Sequence, residues 1–301
     1  MRVVSLLPTA TEIVYRLGLG DSLVGVTDEC DQPDGASVAV VSRCVLDESL
    51  SPAEIDSAVA AAEHDGASLY AIDADMLGRL RPDVILTQDL CPVCALPARQ
   101  AEQAAHEASC SAQVISLDPH SVDDVLASIR IVGAALDDAA SADAVVADIR
   151  ARVERVRRAV GDAARPKVLG LEWGEPPWGA GHWVPEMVRI AGGQPVLGND
   201  GVDSQRLSWE EVATAAPDVV VFMPCSYGLA DAADQARALF THPEFVATPA
   251  VRGSRVFATD AESYFSRSGP RIVDGIELLA GLIHPERWPA PAAHAALQIT
   301  G

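Results

Sequence analysis

The sequence predicts an α/β protein of two lobes joined by a helix, and three observations lead to this fold. Short runs rich in valine, leucine and isoleucine alternate with helical patterns, which is typical of mostly parallel sheets flanked by helices. A stretch with no convincing strand separates two groups of such runs. The chain of 301 residues is long enough for one large or two medium domains, each able to bury a core.

The apolar runs are expected to form strands in both lobes. In the first lobe these are residues 3–6, 23–26, 39–42, 84–87 and 114–116. In the second lobe they are residues 168–171, 219–223 and 256–258.

Two helices are predicted between the two groups of strands. Ser121 is a good N-cap, because acidic residues follow it in the first turn and apolar residues recur at helical spacing. A second helix starts near Ser141 and ends in a basic cluster at Arg157 and Arg158, about 30 Å away at ~1.5 Å per residue. We therefore expect an N-terminal α/β lobe at 1–119, a connecting helical segment at 120–165, and a C-terminal α/β lobe at 166–301.

Composition and charge exclude several classes of partner. Hydrophobic residues make up 49% and charged residues 22%, which is typical of a folded globular chain and not of a disordered one. The formal charge of -21 repels phosphate backbones and anionic lipids, so neither nucleic acid nor membrane insertion is expected. The first apolar run ends at Pro8 and is too short for a signal peptide, which predicts a cytoplasmic location.

Chemically unusual side chains follow the carboxyl ends of the predicted strands. Parallel α/β sheets bind ligands at that edge, because loops open there and helix N-termini point towards it. The sequence therefore predicts a small-molecule site there, and no pattern assigns a catalytic residue. The candidate ligand-binding residues are Arg43, Cys44, Asp89, Glu172, Trp173, Trp178, Trp183, Tyr264, Phe265 and Arg267.

The cysteines raise the question of a transition metal. Six cysteines are too few for a disulfide scaffold of this size, yet five of them follow strand ends. The pair at 91 and 94 forms C-x-x-C, which fits zinc, a redox role or neither, and no second pair completes a zinc site. Thiolates with one imidazole would select zinc, copper or iron, whereas single cysteines also pack as buried filler. The candidate metal ligands are Cys30, Cys91, Cys94, His182 and Cys225.

Two of these candidates, His182 and Glu172, have alternative roles, and one further residue, Trp209, is expected to be structural. His182 follows glycines that allow a close backbone approach, so it either faces a ligand or packs in a loop. Glu172 is a general base, a metal ligand or the ion-pair partner of an arginine such as Arg267. Trp209 follows a helix-start signal, Ser208 with Glu211, and is expected to pack in the core. The common nucleotide, hydrolase and zinc-protease motifs do not occur.

Six motifs follow one another along nearly the whole chain. They are RVVSLLPTATE at 2–12, LGLGDSLVGVT at 17–27, LRPDVIL at 80–86, AGGQPVL at 191–197, LSWEEV at 207–212 and YFSRSGPR at 264–271. With these motifs in this order, the chain resembles the cobalamin-binding proteins of ABC importers, within the wider group of substrate-binding proteins for cobalamin, iron-siderophores, heme and metals.

This resemblance implies two Rossmann-like lobes joined by a long backbone helix, with a ligand held in a cleft between the lobes. It also implies that Tyr264 stacks on the ligand and that Cys44 lies where another cleft aromatic is expected. Members of the family dock on a membrane permease through one surface glutamate per lobe. Ser266 stands at the second-lobe position and no counterpart is found near Pro97, so docking on a permease is not expected.

Three functions remain open. The first is a cytoplasmic protein that binds a corrinoid, such as cobalamin, or another metal chelate. The second is an ABC importer substrate-binding subunit whose signal peptide is missing. The third is an enzyme that has adopted the scaffold and uses a Cys/His-bound zinc, copper or iron, since fold does not fix function.

Overall fold

The computed structural model describes residues 1–47, 50–65, 68–89 and 96–301. The chain forms two compact units, of which the first comprises Met1–Pro119 with Asp124–Val146 and the second comprises His120–Asp123 with Ala147–Gly301. Each unit contains its own sheet. The α/β fold class expected from the sequence is confirmed, and the predicted domain boundaries stay a prediction.

The first unit contains a six-stranded sheet in the order β4-β3-β2-β1-β5-β6. Its strands are β1 (Val3–Ser5), β2 (Leu23–Thr27), β3 (Ala39–Cys44), β4 (Tyr70–Ile72), β5 (Val84–Thr87) and β6 (Gln113–Ser116). All neighbouring pairs are parallel except β3 with β4. The central strands β1 and β5 are buried on both faces, which explains why they appear in the sequence as continuous apolar runs.

Helices flank this sheet and lead out of it. They are α1 (Pro8–Arg16), α2 (Pro52–Asp65), α3 (Ala74–Leu80), α4 (Ala98–Glu107), α5 (Val122–Ala135) and α6 (Ala139–Val160). Pro8 suits the first turn of α1, because a helix leaves that N–H without an internal partner. The two helices predicted from Ser121 and Ser141 are α5 and α6. Helix α6 has 22 residues, and its residues belong to the first unit up to Val146 and to the second from Ala147.

The second unit contains a seven-stranded sheet with the path β10-β8-β7-β11-β12-β13, and β9 pairs with β7. Its strands are β7 (Lys167–Gly174), β8 (Pro177–Gly179), β9 (Gln194–Pro195), β10 (Gln205–Arg206), β11 (Val219–Phe222), β12 (Val256–Thr259) and β13 (Ala296–Gln298). Strands β7, β11 and β12 run parallel, so their carboxyl ends lie at one edge. Strands β8, β10 and β13 are antiparallel to their neighbours.

Seven helices complete the second unit. They are α7 (Val184–Ile190), α8 (Trp209–Ala215), α9 (Leu229–Ala238), α10 (Pro243–Val246), α11 (Pro249–Arg252), α12 (Ala261–Tyr264) and α13 (Ile272–Ile283). Phe222 and Phe245 are completely buried in the core between β11 and the neighbouring helices. Over the part of the chain that the structure describes, no helix combines the length and the apolarity needed to cross a bilayer.

The structure corrects one predicted segment of the second unit. The sequence predicted a strand that ends at Leu171. Strand β7 instead continues to Gly174, turns, and returns as β8. Trp173 and Trp178 form a cross-strand pair. Aromatic pairs of this kind stabilise antiparallel strands, so the chain continues as a strand beyond Leu171.

Candidate functional site

Two tryptophans and an arginine form a row across one face of the second sheet. Trp173 of β7 lies directly opposite Trp178 of β8, and Trp178 lies opposite Arg206 of β10. Directly paired residues of antiparallel strands share one face, so the three side chains follow one another on that face. The Arg206 guanidinium carbon is 5.6 Å from the centroid of the Trp178 ring, within the range of a cation–π contact. We call these three residues the aromatic row.

Tyr227 extends the aromatic row towards the ends of the parallel strands. Its ring centroid is 5.6 Å from that of Trp173, with the planes inclined at 59°. The Tyr227 carbonyl accepts a hydrogen bond of 3.2 Å from the backbone N–H of Glu262, in the first turn of α12. Trp173, Trp178 and Tyr227 are all partly exposed, so flat aromatic surface is accessible at this edge.

Glu172 occupies a β-bulge between two pairs of the β7–β8 ladder. Leu171 pairs with Gly179 and Trp173 pairs with Trp178, so Glu172 is the extra residue. A bulge turns its side chain away from the regular alternation of the strand. The Glu172 carboxylate accepts a hydrogen bond from the hydroxyl of Ser204.

Burial raises the pKa of the Glu172 carboxyl to about 8, and the neighbouring charge of Cys225 acts in the same direction. Hydrogen bonds from the Ser204 hydroxyl and from the backbone N–H of Gly181 oppose this shift of the pKa. The burial effect is the largest, so Glu172 is mostly protonated at neutral pH. Its ion-pair role with Arg267, considered from the sequence, is not what the structure shows, since Arg267 donates to Glu262 at 2.8 Å.

Residues 198–206 form a segment that we call the strap, which packs on the glycine-rich turn before α7. The backbone N–H of His182 donates to the carbonyl of Val202 at 2.7 Å, and that of Gly201 donates to the carbonyl of His182 at 3.0 Å. The backbone N–H of Gly181 donates to the Ser204 hydroxyl at 3.2 Å. A Cβ on Gly181 would lie 2.5 Å from the Ser204 nitrogen, so this close approach requires glycine. The strap ends in β10, whose second residue is the Arg206 of the aromatic row.

His182 lies under the strap with a left-handed backbone, at a φ of 53°. Its ring stacks at 6.3 Å from that of His120, and its Nε2 is 3.8 Å from a carboxylate oxygen of Asp203. Burial lowers the pKa of His182, and His120 adds to this while Asp203 opposes it. The imidazole is therefore mostly neutral at pH 7.

Three predicted ligand-binding residues are buried inside the second unit. Trp183 is 7% exposed, Phe265 3% and Arg267 6%. The indole N–H of Trp183 donates to the carbonyl of Phe265 at 3.2 Å, which joins the start of α7 to the segment after α12. Tyr264, next to them, is partly exposed, and burial raises its pKa. These buried side chains support the site by packing, and their predicted contact with a ligand stays a prediction.

The first unit carries its own predicted residues at the carboxyl end of β3. Arg43 is exposed, and Cys44 lies opposite Tyr70 of β4. Burial is the main cause that raises the pKa of the Cys44 thiol. The Tyr70 hydroxyl donates to the carboxylate of Glu29 at 3.0 Å, so polar groups from β4 and from the turn after β2 meet here.

Asp89 has a structural role within the first unit. Its carboxylate accepts hydrogen bonds from the backbone N–H of Ala98 at 2.8 Å and from the hydroxyl of Ser116 at 3.2 Å. Ala98 is the first residue of α4, whose N-terminal N–H groups have no partner within the helix. Asp89 therefore joins the start of α4 to the end of β6.

The predicted metal site is not supported by the described part of the chain. Among those residues, no group of three or more histidine, cysteine, aspartate or glutamate side chains could hold a metal ion. Cys30 is buried in the first unit with its Sγ 2.9 Å from the Thr11 hydroxyl, whereas Cys225 is exposed on the second. Cys91 and Cys94 lie outside the described residues. The expected cysteine cluster is therefore not supported, and the described cysteines are thiols.

The sequence did not single out Ser204, Arg206 or Tyr227 as candidate ligand residues. Tyr227 follows the predicted strand 219–223, and this position after a strand end could have identified it as a candidate. Arg206 and Ser204 lie in a segment whose only strand has two residues, too short for any periodic pattern.

The whole chain can now be compared with known proteins. Residues 3–263 match the model of the family described as "Periplasmic binding protein". This chain belongs to the periplasmic binding protein family.

Relatives of this family are similar over nearly the full length. The vitamin B12-binding protein of Yersinia pestis (strain Pestoides F) is 26% identical over 296 residues, covering 97% of this chain and 90% of that protein. The periplasmic vitamin B12 binding protein of Vibrio cholerae is 20% identical with a TM-score of 0.68, covering 94% and 96%. A periplasmic heme binding protein from Pseudomonas aeruginosa is 20% identical with a TM-score of 0.73, covering 100% and 99%. The resemblance drawn from the motifs is confirmed.

The same comparisons overturn the expected location. A cytoplasmic protein was predicted from the short apolar run before Pro8, but the matched family and both solved relatives are periplasmic binding proteins. The prediction of a cytoplasmic location is wrong. The length of one apolar run at the start of a sequence was not sufficient ground for it.

Proposed function

We propose that this periplasmic binding protein is the substrate-binding subunit of an importer and that its ligand is a corrinoid or another flat metal chelate. The aromatic row carries the proposal, because it offers two adjacent indoles and a cation at the carboxyl edge of the second sheet. The names of the relatives, which specify vitamin B12 or heme, support the same ligand class.

The chemistry of the aromatic row suits a macrocycle. Aromatic side chains bury about 150–250 Å² each and contribute further through offset or edge contacts with another flat ring. Two interstrand steps of ~4.8 Å make the row about 10 Å wide, comparable with the width of a tetrapyrrole ring. Trp173 and Trp178 would pack on the ring, and Tyr227 would contact its edge. A contact of Arg43 or Cys44 with a ligand stays a prediction.

A corrinoid is the first member of this class to test. The vitamin B12-binding protein of Yersinia pestis is similar over 97% of this chain, which supports a corrinoid as the ligand.

The test is a titration of the purified protein with cyanocobalamin and, separately, with hemin, followed by absorption spectroscopy and calorimetry. We expect saturable binding of cyanocobalamin at one site. Trp173→Ala and Trp178→Ala should each weaken it by about tenfold or more, as buried aromatic anchors do. Trp288→Ala is the matched control, since Trp288 is also partly exposed but follows the far end of α13.

The outcomes separate the parts of the proposal. If hemin binds and cyanocobalamin does not, the assignment of a corrinoid is wrong, whereas the broader assignment of a flat metal chelate still holds. Binding of neither compound up to high micromolar concentration would overturn the ligand class. Equal losses in all three variants would show that the aromatic row is not the contact surface.

A further inference from the structure

Arg206 is held at the open end of the aromatic row by the backbone around it. Its strand pairs with β8 at two positions, Gln205 with Gly179 and Arg206 with Trp178. The strap that leads into β10 is fixed to the turn before α7 by the backbone of His182 and by the Ser204 hydroxyl. The backbone position of Arg206 is therefore set by the fold, and its guanidinium lies beside the Trp178 ring.

A positive group at this position is unusual for the charge of the chain. Acidic residues outnumber basic ones by 43 to 22, so the average field repels negative ligands. A ligand with an anionic substituent then needs a cation at the point of contact. Arg206 is exposed and lies beside Trp178 at the end of the row, so it can reach a group on the rim of a ring that packs on the two indoles.

Arginine suits one chemical class of rim group. Its planar guanidinium presents five N–H donors in a fork that matches the paired oxygens of a phosphate or a carboxylate. Contact of the guanidinium with an aromatic ring restricts its position, so less conformational entropy is lost when it binds an anion.

We propose that Arg206 is a specificity-determining residue that selects macrocycles carrying an anionic rim group, either the phosphodiester of a corrinoid nucleotide or the carboxylate of a porphyrin. This inference rests on the proposed function, because it needs a macrocycle on the aromatic row. It goes further by assigning the part of the ligand that this arginine recognises.

The experiment compares ligands with and without the anionic group. Cyanocobalamin carries the phosphodiester, which dicyanocobinamide lacks together with the rest of the nucleotide; hemin carries two carboxylates and its dimethyl ester carries none. Affinities are measured by calorimetry for the wild type, Arg206→Gln, Arg206→Lys and the control Arg252→Gln. Arg252 is also exposed, but it follows Ala250, which hydrogen-bonds to Pro217 just before β11, at the opposite edge of the sheet.

We expect Arg206→Gln to bind cyanocobalamin about tenfold more weakly, as for one charge-assisted hydrogen bond at an accessible site. Its affinity for dicyanocobinamide should stay near that of the wild type. Arg206→Lys should recover part of the loss, because it restores the charge without the fork. Added salt should weaken cyanocobalamin binding by the wild type more than by Arg206→Gln.

Other results would overturn the inference in distinguishable ways. An equal loss for both members of a pair would make Arg206 a packing residue of the row. No loss for either member would remove it from the ligand surface while leaving the proposed function intact. If the wild type binds neither pair, the proposed function fails and the role of Arg206 fails with it. Far-UV circular dichroism of each variant excludes misfolding as the cause of any loss.

Discussion

The hydroxyl of Ser204 donates a hydrogen bond to the carboxylate of Glu172, and this contact joins the strap to the bulge in β7. The same hydroxyl accepts a hydrogen bond from the backbone N–H of Gly181. One serine thus connects a buried acid, a glycine turn and the segment that carries Arg206. The geometry of the aromatic row depends on this small polar centre.

Replacing Glu172 by glutamine should change how stability depends on pH. The pKa of Glu172 is about 8 in the folded protein, above its ordinary value near 4.5. Between these values the folded protein holds a proton that the unfolded chain has lost, so stability falls as pH rises. Relative to Glu172→Gln, the wild type should lose up to about 1.4 kcal/mol per pH unit from about pH 5 to about pH 8. Urea denaturation of both proteins across this range measures the difference.

The control for this series is Glu244→Gln, since Glu244 is exposed on α10. Its stability should follow that of the wild type at every pH. A constant difference between wild type and Glu172→Gln from pH 5 to pH 9 would contradict the burial of a protonated carboxyl.

Trp183→Phe should reduce stability more than ligand affinity. The indole N–H of the buried Trp183 donates to the Phe265 carbonyl, and phenylalanine leaves that carbonyl without its donor. The cost is about 1–3 kcal/mol in the free energy of unfolding. Trp178→Phe is the matched variant, because Trp178 is partly exposed in the aromatic row. A larger loss of cyanocobalamin affinity in Trp183→Phe than in Trp178→Phe would show that Trp183 contacts the ligand.

The central strands could be predicted because strands that are buried on both faces appear in the sequence as continuous apolar runs. Strand β5 was expected at 84–87 and occupies Val84–Thr87, where all four residues are buried. The helix start at Ser208 was also predicted correctly, since Ser208 and Glu211 form both hydrogen bonds of a capping box. Trp209 packs against the core of the second unit, as expected.

The site was only partly predictable, because its short strands depend on pairing. Strands β8 and β10 have three and two residues, and contacts with neighbouring strands stabilise them. The glycines around 180 did indicate a close backbone approach. The sequence could not indicate that the approaching segment was the strap, or that the backbone of His182 is left-handed. Asp89 was predicted to bind a ligand, because the sequence alone does not distinguish a carboxylate that caps a helix from one that contacts a ligand.

The cysteines should differ in reactivity according to exposure and pKa. Cys225 is exposed, whereas Cys44 is half-buried and its thiol pKa is raised by burial and by the charges of Glu29 and Asp28. Only the thiolate is nucleophilic. At pH 7.5, which lies about one unit below the ordinary thiol pKa, iodoacetamide should therefore modify Cys225 first. Peptide mass spectrometry after timed quenching measures both rates. Faster modification of Cys44 would contradict the environment described for it.

Gly181→Ala should damage both stability and ligand binding through the strap. The new Cβ would lie 2.5 Å from the Ser204 nitrogen and would also collide with the Val202 carbonyl oxygen, so the strap must move. Overpacking of this kind costs about 1–3 kcal/mol. The movement would also displace Arg206 from Trp178, which should weaken cyanocobalamin binding even at temperatures where the variant is folded.

Gly228→Ala is the matched control for that substitution. A Cβ on Gly228 would meet no atom within 4 Å, although this glycine adjoins Tyr227 at the same edge of the sheet. Its stability and its ligand affinity should stay close to those of the wild type. If Gly181→Ala were as stable as Gly228→Ala and bound the ligand as tightly, the strap would not be tied to the turn before α7, and the fixed position of Arg206 would lose its structural basis.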